Sequence, residues 1–220
     1  MKAVIFDFNG TLFDDTRFHI RGWQRYMRER FGLELTEAEV RAGFIGPNNS
    51  QIFHNYFGDK FTPEQVHAYS LEKEAAYRAE VLAENAHPQL IEGATELFDL
   101  LVERGIPFAL ATASEFPNVE FYLNDLGLKK WFTLDRIVYD EGKLPSKPDP
   151  AFYLEAMRRL NVDPSDCVVC EDSAPGIEAA RRSGAGRVIA IDRTTPRDIL
   201  ESNPAIHAII HDFRNFERFL

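Results

Sequence analysis

The chain has 220 residues, 45 % of them hydrophobic, with a formal net charge of −10 and a pI near 5.1. That length and composition predict a globular protein able to bury a sizeable core, either one domain with an insertion or two small ones. The acidic balance argues against a nucleic-acid binder, and it means that an anionic substrate would need local positive charge. No apolar stretch nears the ~20 residues of a membrane-spanning helix. Met1-Lys2 precedes an apolar run too short for a secretory signal, so a cytoplasmic protein with no membrane partner is expected.

In chain order, Val4, Ile5 and Phe6 form the short apolar run of a buried parallel strand. It runs into Asp7 and then Asn9-Gly10-Thr11, where Asp and Asn-Gly stop the strand and open a turn. A carboxylate is thereby placed at the carboxyl end of a strand, the edge where open α/β sheets bind ligands. From residue 15 to about residue 82 the pattern is helical: Phe18, Trp23, Tyr26, Met27 and Phe31, then Val40, Phe44, Ile52, Phe53 and Tyr56, then a long helix over 63–82. Thr36 and Thr62 read as N-caps, the latter followed by Pro63 and Gln65 in the first turn. About four helices, inserted after the first strand, are expected here.

Alternation resumes near residue 90. Helices are expected over 93–104 (stopped by Gly105), 119–126, 149–160 and 175–183. Strands are expected over 107–112, 136–139, 166–170, 187–191 and 207–210. Strands alternating with helices of about ten residues predict βαβ units and a doubly wound α/β parallel sheet. The expected division is a core of residues 1–14 and 87–220 and a helical insertion of residues 15–86. Cys167 and Cys170 are the only cysteines, and three-residue spacing on a strand points them to opposite faces, as core thiols rather than a redox or metal pair.

Four strand ends, or the loops after them, carry polar residues: Asp7 and Asn9, Thr112 and Ser114, Ser146-Lys147-Pro148, and Glu171-Asp172. A parallel sheet gathers such ends at one edge. Each group alone has an ordinary explanation as a cap, turn or solvated side chain. Together they supply a nucleophilic carboxylate, a hydroxyl, a lysine and an acidic pair, an inventory that suits phosphoryl transfer with a hard cation such as Mg²⁺.

The runs Asp7-Phe-Asn-Gly-Thr11, Thr112, Lys147-Pro148 and Glu171-Asp172-Ser173 resemble the four motifs of the haloacid dehalogenase superfamily. Asp14, His19 and Trp23, Gly46, and the Glu-Asp-Ser-x-x-Gly-Ile run from Glu171 to Ile177 are similar to its β-phosphoglucomutase and phosphoglycolate phosphatase group. The resemblance implies a Rossmann-like core with an α-helical cap and a Mg²⁺-dependent phosphatase acting through an aspartyl phosphate on Asp7. It implies that Thr112 and Ser114 hold the phosphoryl group and that Lys147 pairs with phosphate and Asp7. Asp7, Asp172, the main-chain carbonyl of Asn9 and Glu171 (directly or through water) would hold the metal. It also implies a cis peptide between Lys147 and Pro148. A small-molecule phosphate ester would be the partner, and the chain a monomer or weak dimer.

The chain departs from that pattern at Asn9, where the family has the acid/base Asp. An amide transfers no proton at neutral pH, and general acid–base catalysis is worth about 10²–10⁴ in rate. Three readings stay open in the sequence: a native Asn with His19 taking the proton, a phosphate-binding regulatory protein, or an engineered change. Asn9-Gly10 is also a deamidation-prone pair, whose conversion would create a carboxylate. Gly46-Pro-Asn-Asn-Ser50 is the expected substrate-facing cap loop, with Asn48 and Asn49 as substrate-binding residues beside His19. The loop lacks the basic residue with which mutases clamp a second phosphate, although Arg41 is close in sequence, which favours a phosphatase over a mutase. A phosphonatase-like reading would need a cap lysine, Lys60 or Lys73.

Overall fold

The structure is a computed structural model, and it describes residues 2–45, 48–85 and 87–220. The chain divides into two units, Met1–Asp14 with Gln89–Leu220, and Asp15–Pro88. The first unit holds a six-stranded, all-parallel sheet in the order β3-β2-β1-β4-β5-β6. The strands are β1 (Ala3–Phe6), β2 (Phe108–Glu115), β3 (Ile137–Asp140), β4 (Cys167–Glu171), β5 (Arg187–Ile191) and β6 (Ala208–Ile210). This is the doubly wound fold that the alternation predicts. The order reverses beside β1, so the crevice outside the ends of β1 and β4 is the topological switch point where such sheets bind ligands.

β1 lies in the middle because every one of its residues is apolar and buried. Side chains alternate between faces, so Ala3 and Ile5 join Cys167, Val169, Ala109 and Ala111 in one layer. That layer packs against Phe152, Tyr153, Ala156 and Met157 of α7 (Ala151–Leu160) and Ile177, Ala179 and Ala180 of α8 (Ala174–Arg182). Phe6 points the other way, 5.4 Å edge-on from Phe98 of α5 (Ala94–Glu103) and 5.8 Å from Phe213. Burying one such side chain stabilises the fold by roughly 1.5–3 kcal/mol. Cys167 and Cys170 are buried free thiols.

Three elements differ from the sequence expectation. β2 does not stop at Thr112 but continues to Glu115 after a register irregularity between Ala111 and Glu115, the kind of bulge that re-aims side chains at a sheet end. The next helix, α6 (Phe116–Asn124), begins three residues earlier than expected, because Pro117 fits the first helical turn, where its missing N–H costs nothing. A short helix, α9 (Arg197–Ser202), falls where no apolar periodicity could announce it in six residues.

The second unit consists, among its described residues, of four helices: α1 (Thr16–Phe31), α2 (Glu37–Gly43), α3 (Asn49–Phe57) and α4 (Pro63–Glu84). Thr36 and Thr62 each close a capping box, with Glu39 and Gln65. Asn48 closes a third with Gln51, so its side chain caps α3. Gly46 and Pro47, expected in a substrate-facing loop, lie outside the described residues. An aromatic core of Trp23, Tyr26, Phe44 and Phe53 joins the helices. α1 meets α4 backbone to backbone at Gly22, where an added Cβ would sit 3.1 Å from the Tyr77 main chain.

Beside that contact lies a buried polar network. The Lys73 ammonium is 2.9 Å from His19 Nδ1, donates to Glu74 Oε1 at 2.8 Å, and rides 5.0 Å over the Trp23 ring. Asn49 Nδ2 also donates to Glu74 Oε1, at 2.8 Å. His19 stacks on Tyr77 at 4.0 Å, and the Tyr77 hydroxyl donates to Asp15 Oδ2 at 2.8 Å. Burial alone would raise the Glu74 carboxyl, but the adjacent Lys73 ammonium and the hydrogen bonds from Lys73 and Asn49 pull it down to about 2. Arg41 is paired with Glu37 at 2.8 Å.

Two outcomes follow for this unit. Gly22→Val should lower stability by about 1–3 kcal/mol through overpacking against α4, read as an unfolding midpoint; an unchanged midpoint would contradict the close approach. The depressed Glu74 contributes stability that is full above its ordinary value of 4.5 and is lost as pH falls toward about 2. Glu74→Gln should therefore cost up to about 3 kcal/mol at neutral pH. The gap to the unchanged chain should close on acidification below about pH 5, down to the acid limit of the fold. A gap that is constant with pH would contradict the network.

Candidate active site

β1 delivers Asp7 to the sheet edge. Its N–H still belongs to the ladder, donating to Cys170 O at 3.0 Å, so its carboxylate is held by backbone on the β4 side. The chain then folds sharply. Leu12 N donates to Phe8 O and Gly10 N donates to Phe13 O, both at 2.8 Å. Gly10 has φ +77°, and a Cβ there would lie 2.1 Å from Asp172 Oδ2, so only glycine serves on both counts. Thr11 Oγ1 donates to Asp172 Oδ1 at 3.0 Å, which ties the first turn to the end of β4.

Lys147 reaches the same point from the loop before α7, and the peptide after it, to Pro148, is cis, as the motif implies. Its ammonium uses three donors: Asp7 Oδ1 at 2.6 Å, Glu171 Oε1 at 2.8 Å and Ala111 O at 3.3 Å accept them. The nitrogen also sits 4.8 Å over the Tyr153 ring. Glu171 is enclosed by donors. Its Oε1 accepts from Lys147 and from the Tyr153 hydroxyl at 3.0 Å. Its Oε2 accepts from Asp172 N and Ser173 N at 2.7 Å each and from Ser173 Oγ at 3.0 Å. A Cβ on Gly176 would fall 1.6 Å from Glu171 Oε1, so the start of α8 has no room for a side chain there.

Asp7, Glu171 and Asp172 are all buried, and each offers an oxygen within 4.8 Å of the others, a grouping able to hold a metal ion. Two like charges at that separation repel by roughly 3 kcal/mol at an effective dielectric near 20. The Asp7 carboxyl is raised to about 7, by burial first and then by Glu171, against the downward pull of Lys147. Asp172 is driven well above the carboxylate range by burial, then by Glu171 and Asp7. Lys147 is held firmly protonated: burial opposes its charge, but Asp7 and Glu171 overcome that. Held all ionised, the three carboxylates would exceed the one ammonium by two negative charges; burial resists that state, and a hard divalent cation on oxygen ligands would supply the balance that permits it. Because five donors already occupy Glu171, its geometry fits a positioning residue better than a direct ligand.

On the β2 side, Thr112 is fully buried and its Oγ1 accepts from Ser114 N at 3.1 Å. Ser114 Oγ donates to Asn9 Oδ1 at 2.9 Å, and Thr112 Oγ1 lies 3.5 Å from the same oxygen. The structure thus brings together Asp7, Asn9, Thr112, Ser114, Lys147, Glu171 and Asp172. His19, Asn48 and Asn49 belong to the helical unit, where His19 and Asn49 join the Lys73–Glu74 network and Asn48 caps α3. Four contributors escape sequence reasoning: Tyr153, Tyr122, Ser173 and Thr194, which hydrogen-bonds Asp172. Only Ser173 carries a signal, as part of the Glu-Asp-Ser run. The tyrosines read as the apolar faces of α7 and α6.

Comparison with known proteins identifies the family and agrees with the fold. The family model of the haloacid dehalogenase-like hydrolases matches residues 1–184. A phosphorylated carbohydrates phosphatase of Thermotoga maritima is 30 % identical over 194 residues, covering 87 % of this chain and 85 % of its own. A β-phosphoglucomutase of Bacillus subtilis is 27 % identical over 189 residues, covering 84 % and 80 %. A solved haloacid dehalogenase hydrolase of family IA, variant 3, from Entamoeba histolytica superposes with a TM-score of 0.88 at 33 % identity, covering 97 % of this chain and 94 % of that one. The chain belongs to the haloacid dehalogenase-like hydrolases.

Proposed function

We propose that this chain is a Mg²⁺-dependent phosphatase of small phosphorylated sugars that works through a phosphoryl group on Asp7. The observation that carries the reading is the Asp7 carboxyl, gripped by Lys147 at 2.6 Å inside a buried cluster of three acidic side chains. The Thermotoga maritima relative named as a phosphorylated carbohydrates phosphatase supports the substrate class. Asp7, Asp172 and the Asn9 main-chain carbonyl would hold the cation, with Glu171 steadying Asp172 N and Lys147. When bound, the cation neutralises charge on the phosphoryl oxygens and on Asp7.

An Asp7 oxygen attacks phosphorus, the bond from phosphorus to the ester oxygen breaks, and that oxygen leaves with the bonding electrons as an alkoxide, which takes its proton from water. Water then attacks the phosphorus of the acyl phosphate, releasing inorganic phosphate and restoring the Asp7 carboxylate. Lys147 holds the attacking carboxylate in place and offsets charge on the phosphoryl oxygens; the Thr112 hydroxyl donates to those oxygens, and the Ser114 hydroxyl joins it by turning from Asn9 Oδ1. The helical unit would supply substrate selection, with His19, Asn48 and Asn49 as its substrate-side candidates. Asn9 cannot donate the proton that an alkoxide leaving group requires.

That last point sets the expected outcome. Aryl phosphates, whose phenolate needs no proton, should turn over faster than alkyl phosphates by about 10²-fold or more, the typical worth of a general acid. Asp7→Asn should abolish turnover of both, and chelation should do the same reversibly. Equal rates on the two ester classes, or Asp7→Asn retaining activity, would contradict the reading.

A further inference from the structure

Past Ser114 the sheet edge carries an aromatic pair that phosphoryl transfer does not use. β2 runs to Glu115 and α6 starts at Phe116 with no loop between them. The Ser114 hydroxyl already reaches Asn9 Oδ1 at 2.9 Å, and two residues of chain span about 7 Å at most. Phe116 is therefore rooted within reach of the carbon skeleton of an ester whose phosphorus sits at Asp7. Tyr139, in β3, lies beside it, with ring centroids 5.6 Å apart at 46°. Val138 belongs to the layer under α7, so Tyr139 turns to the opposite face of the sheet and meets α6 there. A single exposed ring is ordinary on a protein surface. Phe116 differs in its place: it is 42 % exposed, a second ring backs it, and of the exposed large apolar side chains among the described residues it is the nearest in sequence to the site.

The charge beside the pair has one sign. Glu115 and Asp140 are register partners across β2 and β3, and Glu141 follows. The Tyr139 hydroxyl donates to Glu141 Oε1 at 3.4 Å. Lys143 is the one base in the loop of residues 141–146, and it is paired with Glu141 Oε2 at 3.4 Å. A second phosphate carried to this rim would meet carboxylates, and like charges brought together select against the ligand that carries them. A flat, uncharged C–H face would instead bury apolar surface on the Phe116 ring. We propose that Phe116, backed by Tyr139, is a specificity-determining residue whose ring packs on the uncharged carbon skeleton of the ester, so that the site takes sugar monophosphates in preference to bisphosphates. The proposal rests on the phosphatase reading and narrows its substrate class.

The test reads competition against 4-nitrophenyl phosphate hydrolysis by glucose 1-phosphate, glucose 6-phosphate, glucose 1,6-bisphosphate and inorganic phosphate. On the unchanged chain the bisphosphate should bind no tighter than the better of the two monophosphates; a tighter bisphosphate would overturn the selection. Phe116→Ala should weaken binding of both monophosphates by about tenfold, the scale of a lost apolar contact. It should leave inorganic phosphate, which has no carbon skeleton, unchanged. Phe116→Leu keeps an apolar side chain and should recover most of the loss. Sugar-phosphate binding that Phe116→Ala does not change would refute the wall. An equal weakening of inorganic phosphate would refute it too, because Phe116 would then support the phosphoryl site instead. If the unchanged chain hydrolyses no ester, the phosphatase reading fails, and the same four ligands are titrated by calorimetry. A Phe116→Ala loss confined to the sugar phosphates then leaves the wall standing as part of a binding site, and binding of none of the four overturns both.

Discussion

Everything in the core unit answers to one electrostatic constraint: three carboxylates are buried within hydrogen-bonding reach of a single ammonium or of one another's supports. Fold energy does not explain such a cluster, since apolar groups of the same volume would cost less than unpaired buried charge. Its supports are nonetheless extensive. Glu171 takes five donors, Lys147 uses three acceptors, and Thr11, Thr194 and the turn at Gly10 fix Asp172. An arrangement that burial opposes and hydrogen bonds enforce is the signature of a site prepared for a charged ligand.

The sheet order makes the convergence possible. β1 and β4 are neighbours at the switch point, and β2 flanks β1 on the other side, so residues 7, 112 and 172 meet although long stretches of chain separate them. The bulge in β2 turns Ser114 toward Asn9, and the loop before α7 lends Lys147. Glycine appears where two functional side chains leave no space: Gly10 against Asp172 and Gly176 against Glu171. These positions transmit sequence into chemistry as directly as the charged residues do.

Much of this is legible in the sequence because it is written in residue type at strand ends. The Val4–Phe6 run ending in Asp7, the Lys-Pro step and the Glu171-Asp172 pair each announce a polar group where a buried strand stops. The two threonine caps are equally local and can be read the same way. What cannot be read lies in tertiary contact. Tyr122 and Tyr153 occupy apolar helix faces, and nothing in their spacing distinguishes a hydroxyl that touches Asn9 or Glu171 from ordinary core. Lys73 has no evident place in the sequence because a lysine is rarely buried, and its partners His19 and Glu74 come together only when α1 packs on α4. Asn48 and Asn49 read as loop residues; in the fold Asn48 caps α3 and Asn49 donates to Glu74.

The most direct test of the buried acidic cluster is to locate a divalent cation in it. Crystals grown with Mn²⁺ as a Mg²⁺ substitute should show one anomalous peak bonded to carboxylate oxygens of Asp7 and Asp172 at about 2.0–2.3 Å, and Asp172→Asn should lose it. A peak elsewhere on the chain, or none at millimolar Mn²⁺ with the three carboxylates unchanged in place, would contradict a built metal site.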